Sequence, residues 1–228
     1  MIIIRNDSLR KILSIIIPFI LIPAVAIAGV TLLDEKKHLL VSLAVAVLSL
    51  IVFITGFEKK ITGTRRMVIV AVMIAICVVG RAIPFFKPVT AVIIIAAVYL
   101  GGESGFMIGA FSALLSNFYF GQGPWTPFQM LGWGLVGLVA GYLSLPLKKS
   151  RVALLIYGAI SGVLFSVIMD IWTVLGLGEG FEGSLYLSAL TTATAHAILY
   201  SISNVIFLLL LAKPIGDKLN RIKIKYGI

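Results

Sequence analysis

Apolar stretches of bilayer-crossing length recur along this 228-residue chain, separated by short charged or Gly/Pro-rich connections. A helix needs roughly 20 mostly apolar residues to cross about 30 Å of hydrocarbon. About eight stretches approach that length, at about 12–32, 39–57, 67–83, 89–102, 104–120, 127–145, 152–175 and 186–212. The fourth is short, and Gly101-Gly102-Glu103-Ser104-Gly105 ties it tightly to the fifth, so seven spans with a partly re-entrant hairpin is the alternative. Composition agrees: 60% of residues are hydrophobic and 12% charged, against about 25% charged in soluble domains. The fold class expected is all-α, a polytopic transmembrane bundle. The N-terminal apolar run is long, contains Pro18 and Pro23 and lacks a persuasive small-residue cleavage site, so it reads as a retained helix and not a signal peptide.

The net charge of +10 reflects topology, not a nucleic-acid surface. Arg5, Arg10 and Lys11 precede the first span, and Lys59, Lys60, Arg65 and Arg66 fill the second connection. Lys148, Lys149 and Arg151 fill the sixth, and Lys213, Lys218, Arg221, Lys223 and Lys225 follow the last. With a cytoplasmic N-terminus, these 15 of 19 basic residues fall inside; Lys36, Lys37, Arg81 and Lys87 fall outside. Both termini are therefore expected in the cytoplasm.

The outer connections Gly80–Pro88, Gly121–Thr126 and Gly176–Ser184 are rich in Gly, Pro and aromatic residues, whereas the inner ones are plain and basic. Tight turns need Gly and Pro anyway, but loops on a rigid scaffold also carry function. Intramembrane polar residues are costly and point the same way. Asn117, Gln129, Asp170 and His196 cluster toward the outer half, while Asn204 lies deeper and suits a bond to another helix. His196 suits an interhelical bond or a ligand contact equally. Asp170 requires a cation such as Arg81 or Lys87, a polar ligand group, or a neutral protonated state. The aromatic residues around GQGPWT exceed an ordinary interfacial belt. Phe85, Phe86, Asn117, Tyr119, Gln122, Trp125, Gln129, Trp133, Asp170, Trp172 and His196 are the candidate substrate-binding residues, suited to a ring-bearing molecule oriented by a few polar groups.

Small residues recur four apart at Gly105/Gly109, Gly137/Gly141 and Gly158/Gly162, a spacing that lets helix backbones approach. Ala71 and Ala75 share that spacing one turn inside Arg65-Arg66, where internal packing and docking of another protein both fit. The chain has no phosphate-binding loop G-x-x-x-x-G-K-[ST], no H-E-x-x-H and no G-x-S-x-G, so no catalytic residue, metal or cofactor is assigned. The lone Cys77 allows no internal disulfide. No duplicated halves are evident, so energised transport would need a partner's engine.

Residues 65–212, with Ala71/Ala75 in the first helix of the segment and the loop after it, resemble the substrate-binding (S) component of energy-coupling factor (ECF) vitamin transporters. Ser116–Gly137 (SNFYFGQGPWTPFQMLGWGLVG) looks like S components assigned to cobalamin or its precursors. The resemblance implies a six-helix core in a prokaryotic plasma membrane. It also implies partnership with a transmembrane coupling (T) subunit and two ABC-type ATPases. Ala71 and Ala75 would contact the T subunit, and Gly80–Pro88 would act as a lid. Residues 1–58 are then an added hairpin packed outside the 59–228 core. The expected function is ATP-driven uptake of a heteroaromatic vitamin, with cobalamin or a precursor favoured and riboflavin or a queuosine precursor as alternatives. A stand-alone membrane binding or sensor protein is a second class. An intramembrane enzyme using Asp170 and His196 is a third, which requires those groups within hydrogen-bond reach.

Overall fold

A computed structural model describes residues 6–33, 37–56, 60–177 and 180–226, with the side chains of 60–63 and 177 outside that description. Arg5, Asp34, Glu35, Lys36, Lys59, Gly178 and Glu179 lie outside the described residues. The described residues form helices joined by short loops, without strands: α1 (Asp7–Ile16), a π-helical turn (Ile17–Leu21), α2 (Ile22–Thr31), α3 (His38–Thr55), α4 (Lys60–Gly80), α5 (Val89–Leu100), α6 (Gly102–Phe120), α7 (Thr126–Tyr142), α8 (Ser144–Lys149), α9 (Arg151–Leu177) and α10 (Gly183–Tyr226). Asp7–Thr31, His38–Thr55, Arg151–Gly176 and Gly183–Tyr226 are long and apolar enough to cross a membrane. The expected polytopic helical bundle is what forms.

Local chemistry explains the irregular points. Pro18 lies in the π turn, where its missing N–H and its ring break the ordinary i to i−4 ladder. Gly101 turns the chain between α5 and α6 at φ +94°, a left-handed conformation that a Cβ disfavours. The Arg66 guanidinium locks this end by donating to Ser104 Oγ (2.7 Å), the Gly56 carbonyl (3.0 Å) and the Leu100 carbonyl.

The short fourth stretch becomes the centre of the molecule. Twelve residues make α5 about 18 Å long, too short to cross hydrocarbon alone. Eleven of those residues are buried, from Val89 to Leu100 with only Tyr99 partly open. Its register is set at both ends: Ser203 Oγ on α10 donates to the Lys87 carbonyl (3.1 Å), and Gly216 lies against the Tyr99 ring. The loop 81–88 is exposed from Ala82 to Phe86, while Arg81 and Lys87 at its two ends are half-buried and Pro88 is buried against the bundle.

All three Gly pairs sit at helix contacts. A Cβ at Gly105 or Gly137 would strike the backbone of the other residue's helix, so α6 and α7 touch main chain to main chain. Gly158 faces Leu208, and Gly162 faces Ser201, between α9 and α10. Ile17, Ile22, Val45, Val52 and Phe53 of the N-terminal helices join the same hydrophobic cluster as α5, α6 and α7.

One expectation changes. The basic tail after 212 continues α10 to Tyr226, a helix of 44 residues or about 66 Å. Leu219 is buried, and the terminal Lys223 and Lys225 favour the helix dipole. Arg65 caps the far end by donating to the Tyr226 carbonyl at 3.0 Å.

Candidate functional site

The end of the bundle where α4 gives way to α5 gathers polar groups around one cation. Arg81 follows the last turn of α4, where the loop folds it inward. Its Nη1 donates to Ser116 Oγ (2.5 Å) and Asn117 Oδ1 (2.6 Å), and its Nη2 reaches Gln129 Oε1 at 3.5 Å. The guanidinium also lies over the rings of Phe120 and Trp133, 5.2 Å from each centroid. All three hydrogen-bond partners are neutral, and no carboxylate pairs with Arg81 among the described residues. A partly buried cation with neutral neighbours and spare donors suits an acceptor-rich or anionic ligand group.

Asn117, Gln122, Thr126 and Gln129 bond chiefly to one another. Asn117 Nδ2 donates to Thr126 Oγ1 and Gln129 Oε1 (2.8 Å each), Thr126 Oγ1 to Gln122 Oε1 (3.0 Å), and Gln122 Nε2 to the Leu114 carbonyl (2.9 Å). This network holds the GQGPWT turn against α6 and fixes the acceptors that receive Arg81.

Aromatic rings lead from Arg81 across α7 and α9 to the exposed His196 of α10. Trp133 stacks on Phe165 (5.1 Å between centroids), Phe165 on Tyr200 (5.5 Å), and Tyr200 meets His196 (4.9 Å). Trp125 meets Trp172 edge to face at 5.6 Å. Trp133 lies about 10 Å below the start of α7, and Trp172 about 8 Å below the end of α9. The indole N–H groups of Trp133 and Trp172 are buried without acceptors. Two orphaned buried donors, one of them on the ring under the Arg81 guanidinium, are the costly arrangement that a bound acceptor relieves.

Other predicted residues lie elsewhere. Phe85 and Tyr119 are 79% and 84% exposed, and Phe86 is also exposed, so the two loop phenylalanines and Tyr119, in the last turn of α6, lie on the surface and not in the cluster. Phe85 has φ +61°, a strained conformation for a bulky side chain. Asp170 is buried and its Oδ2 has no hydrogen-bond partner. Neither Arg81 nor Lys87 forms an ion pair with it among the described residues, contrary to one reading of the sequence. Five residues separate Asp170 from Phe165, or about 140° around α9. Asp170 accordingly lines a different feature, a mostly apolar lateral groove of about 290 Å³ between α9 and α10 with Ser166, Thr194 and Ser201. Asn204 donates to the Gly158 carbonyl (3.0 Å), the interhelical bond expected of it.

Sequence reasoning passed over Arg81 as a ligand contact, although a basic residue on the side otherwise poor in charge was a usable signal. Phe165 and Tyr200 carried none, since aromatic residues within apolar helices are ordinary.

A second surface lies along α4. Val70, Met73, Ile74 and Cys77 point into the core, while Val68, Ala71, Val72, Ala75, Ile76 and Val79 form an exposed stripe. Beside it, an apolar groove of about 530 Å³ runs between Ala75 and Val79 of α4 and Leu211 and Ile215 of α10.

Comparison with known proteins places this arrangement. A UPF0397 protein of Aliivibrio salmonicida (strain LFI1238) is 24% identical over 157 residues, covering 64% of this chain and 85% of that protein. No solved structure matches the chain. The family described as "ECF-type riboflavin transporter, S component" matches residues 61–221, from the first turn of α4 through most of α10 and including every residue of the Arg81 cluster. With that match spanning well over half its length, the chain belongs to the ECF-type riboflavin transporter S component family.

Proposed function

We propose that this S component captures a planar heteroaromatic micronutrient of flavin size from the outer face and delivers it through an ATP-driven complex. The carrying observation is the Arg81 guanidinium, bonded to neutral Ser116, Asn117 and Gln129 and lying over Trp133, whose indole N–H, like that of Trp172, is buried without a partner. A flat ring with carbonyl acceptors along one edge would satisfy the donors while its faces meet the aromatic residues. The name of the matched family favours riboflavin or a close analogue. Cobalamin, suggested by Ser116–Gly137, has less support. The polar side chains of that stretch bond one another, and its Trp125 and Trp133 rings pack against Trp172 and Phe165 of α9, leaving little for a macrocycle to engage. The strained, exposed Phe85 fits a lid that rearranges when ligand enters.

Native mass spectrometry of the detergent-purified chain, from cells supplied with both riboflavin and a corrinoid, tests the substrate class. A retained flavin mass is expected. A retained corrinoid would replace that reading with cobalamin, and an empty chain that co-purifies with no ATPase would point to a stand-alone sensor.

The exposed Ala71/Ala75 stripe is the proposed seat of the T subunit, because small side chains let a partner helix approach where lipid supplies no hydrophobic drive. Changing both residues to Leu is expected to reduce ATP-dependent uptake in the reconstituted complex by about tenfold or more, with ligand affinity unchanged. Loss of binding in the same variant would assign the pair to internal packing.

A further inference from the structure

A pocket of about 230 Å³ opens at the basic end of the bundle, where α5, α8, α9 and α10 meet, far from the Arg81 cluster. Lys148, Arg151 and Lys213 stand around its mouth, and Leu154, Leu208 and Leu209 form part of its apolar wall. Lys148 Nζ lies over the Tyr99 ring, 4.8 Å from its centroid, and Arg151 Nη2 donates to the Leu209 carbonyl at 3.2 Å. Lys223 adds a fourth cation, its Nζ 3.4 Å from the Tyr99 carbonyl.

None of these four cations pairs with a carboxylate among the described residues. Asp217, one turn beyond Lys213 on α10, is the acid whose charge reaches Tyr99, so positive charge still prevails here. Burial, and the neighbouring charge of Lys223, push the Lys148 ammonium below its ordinary pKa. The bland alternative is that these residues only set topology. Scattered loop charges would do that equally well, without converging on a recess walled by leucines.

We propose that this pocket binds the phosphate-bearing headgroup of an anionic glycerophospholipid, with the start of an acyl chain on the leucine wall. Basic recesses between membrane helices hold acidic lipid headgroups in this way. A soluble phosphate would share the cations but gain nothing from Leu154, Leu208 and Leu209. The half-exposed Leu209 and exposed Leu210 continue that wall toward the lipid phase.

The test titrates the purified chain, in neutral-lipid nanodiscs, with phosphatidylglycerol and reads lipid adducts by native mass spectrometry. Saturable binding to the unaltered chain is expected, weakened about tenfold or more in Lys148→Gln/Arg151→Gln/Lys213→Gln. The control Lys218→Gln/Arg221→Gln/Lys225→Gln removes equal charge outside the pocket and is expected to bind nearly as well. Lys148→Gln alone, expected to weaken binding severalfold, carries the test if the triple variant is poorly folded. Equal weakening by both triples would reduce the effect to diffuse charge and overturn the proposal. Displacement of the lipid by millimolar glycerol phosphate would assign the pocket to soluble phosphates and overturn it too.

Discussion

Gly137→Leu is expected to deplete folded, monodisperse protein and lower the thermal midpoint of what remains by roughly 6–12 °C, a loss of about 3 kcal/mol or more at 2–4 °C per kcal/mol. A side chain there would meet the Gly105 carbonyl and Cα on the facing helix, and backbone cannot rotate aside as a flexible side chain does. Separating α6 from α7 would also strip Trp133 and Phe106 of close partners, since Gly109 and Gly134 lie in the same seam. Membrane helices rely on such contact because lipid tails reward separated helices as well as packed ones. Gly183→Ala is the matched control: open space surrounds that position, so the midpoint should stay within about 1–2 °C. A Gly137→Leu protein as stable as its parent would show that the seam is looser than its geometry.

Arg81→Ala is expected to weaken ligand capture by roughly 10- to 150-fold, equivalent to about 1.5–3 kcal/mol for a hydrogen bond to a charged group. The fold should persist, because the partners left behind retain other bonds. Ser116 Oγ donates to the Ser112 carbonyl at 2.5 Å, and Asn117 keeps Thr126 and Gln129. Removing the cation therefore leaves no unpaired buried charge. Arg81→Lys should recover only part of the affinity, since an ammonium replaces a planar fork that also lies against Phe120 and Trp133. Equilibrium dialysis with riboflavin reads both variants. Undiminished affinity in Arg81→Ala would remove the guanidinium from the ligand site and return attention to Asp170 and its lateral groove.

Much of the architecture could be read along the chain. Spans of apolar residues have one stable solution in hydrocarbon, because every backbone N–H and carbonyl must be paired within the segment. The glycine pairs marked contact seams because a missing side chain at four-residue spacing leaves one helix face bare, and all three pairs occupy such seams. The turn at Gly101 and the interhelical role of Asn204 were legible for similarly local reasons. The ECF S-component resemblance rested on residues that the family match also covers.

Depth and direction were decided by the tertiary structure. Hydropathy shows that 89–100 is apolar but not that it forms a buried central post, because a lipid-facing and a protein-facing leucine look alike in sequence. Asp170 and Trp172 are sequence neighbours on opposing faces of α9, so adjacency suggested one site where helical rotation makes two. Arg81 was assigned to an outer loop; that it bonds Ser116 and Asn117 of α6 and Gln129 of α7 depends on how those helices pack beside the end of α4, which no local pattern encodes. The sequence by itself determined that the chain is a helical membrane protein and where its helices can touch, because those properties depend on residue type and spacing. Which polar groups converge was decided only when α4, α6, α7 and α9 packed around α5, because convergence depends on the rotation and height of each helix against the others.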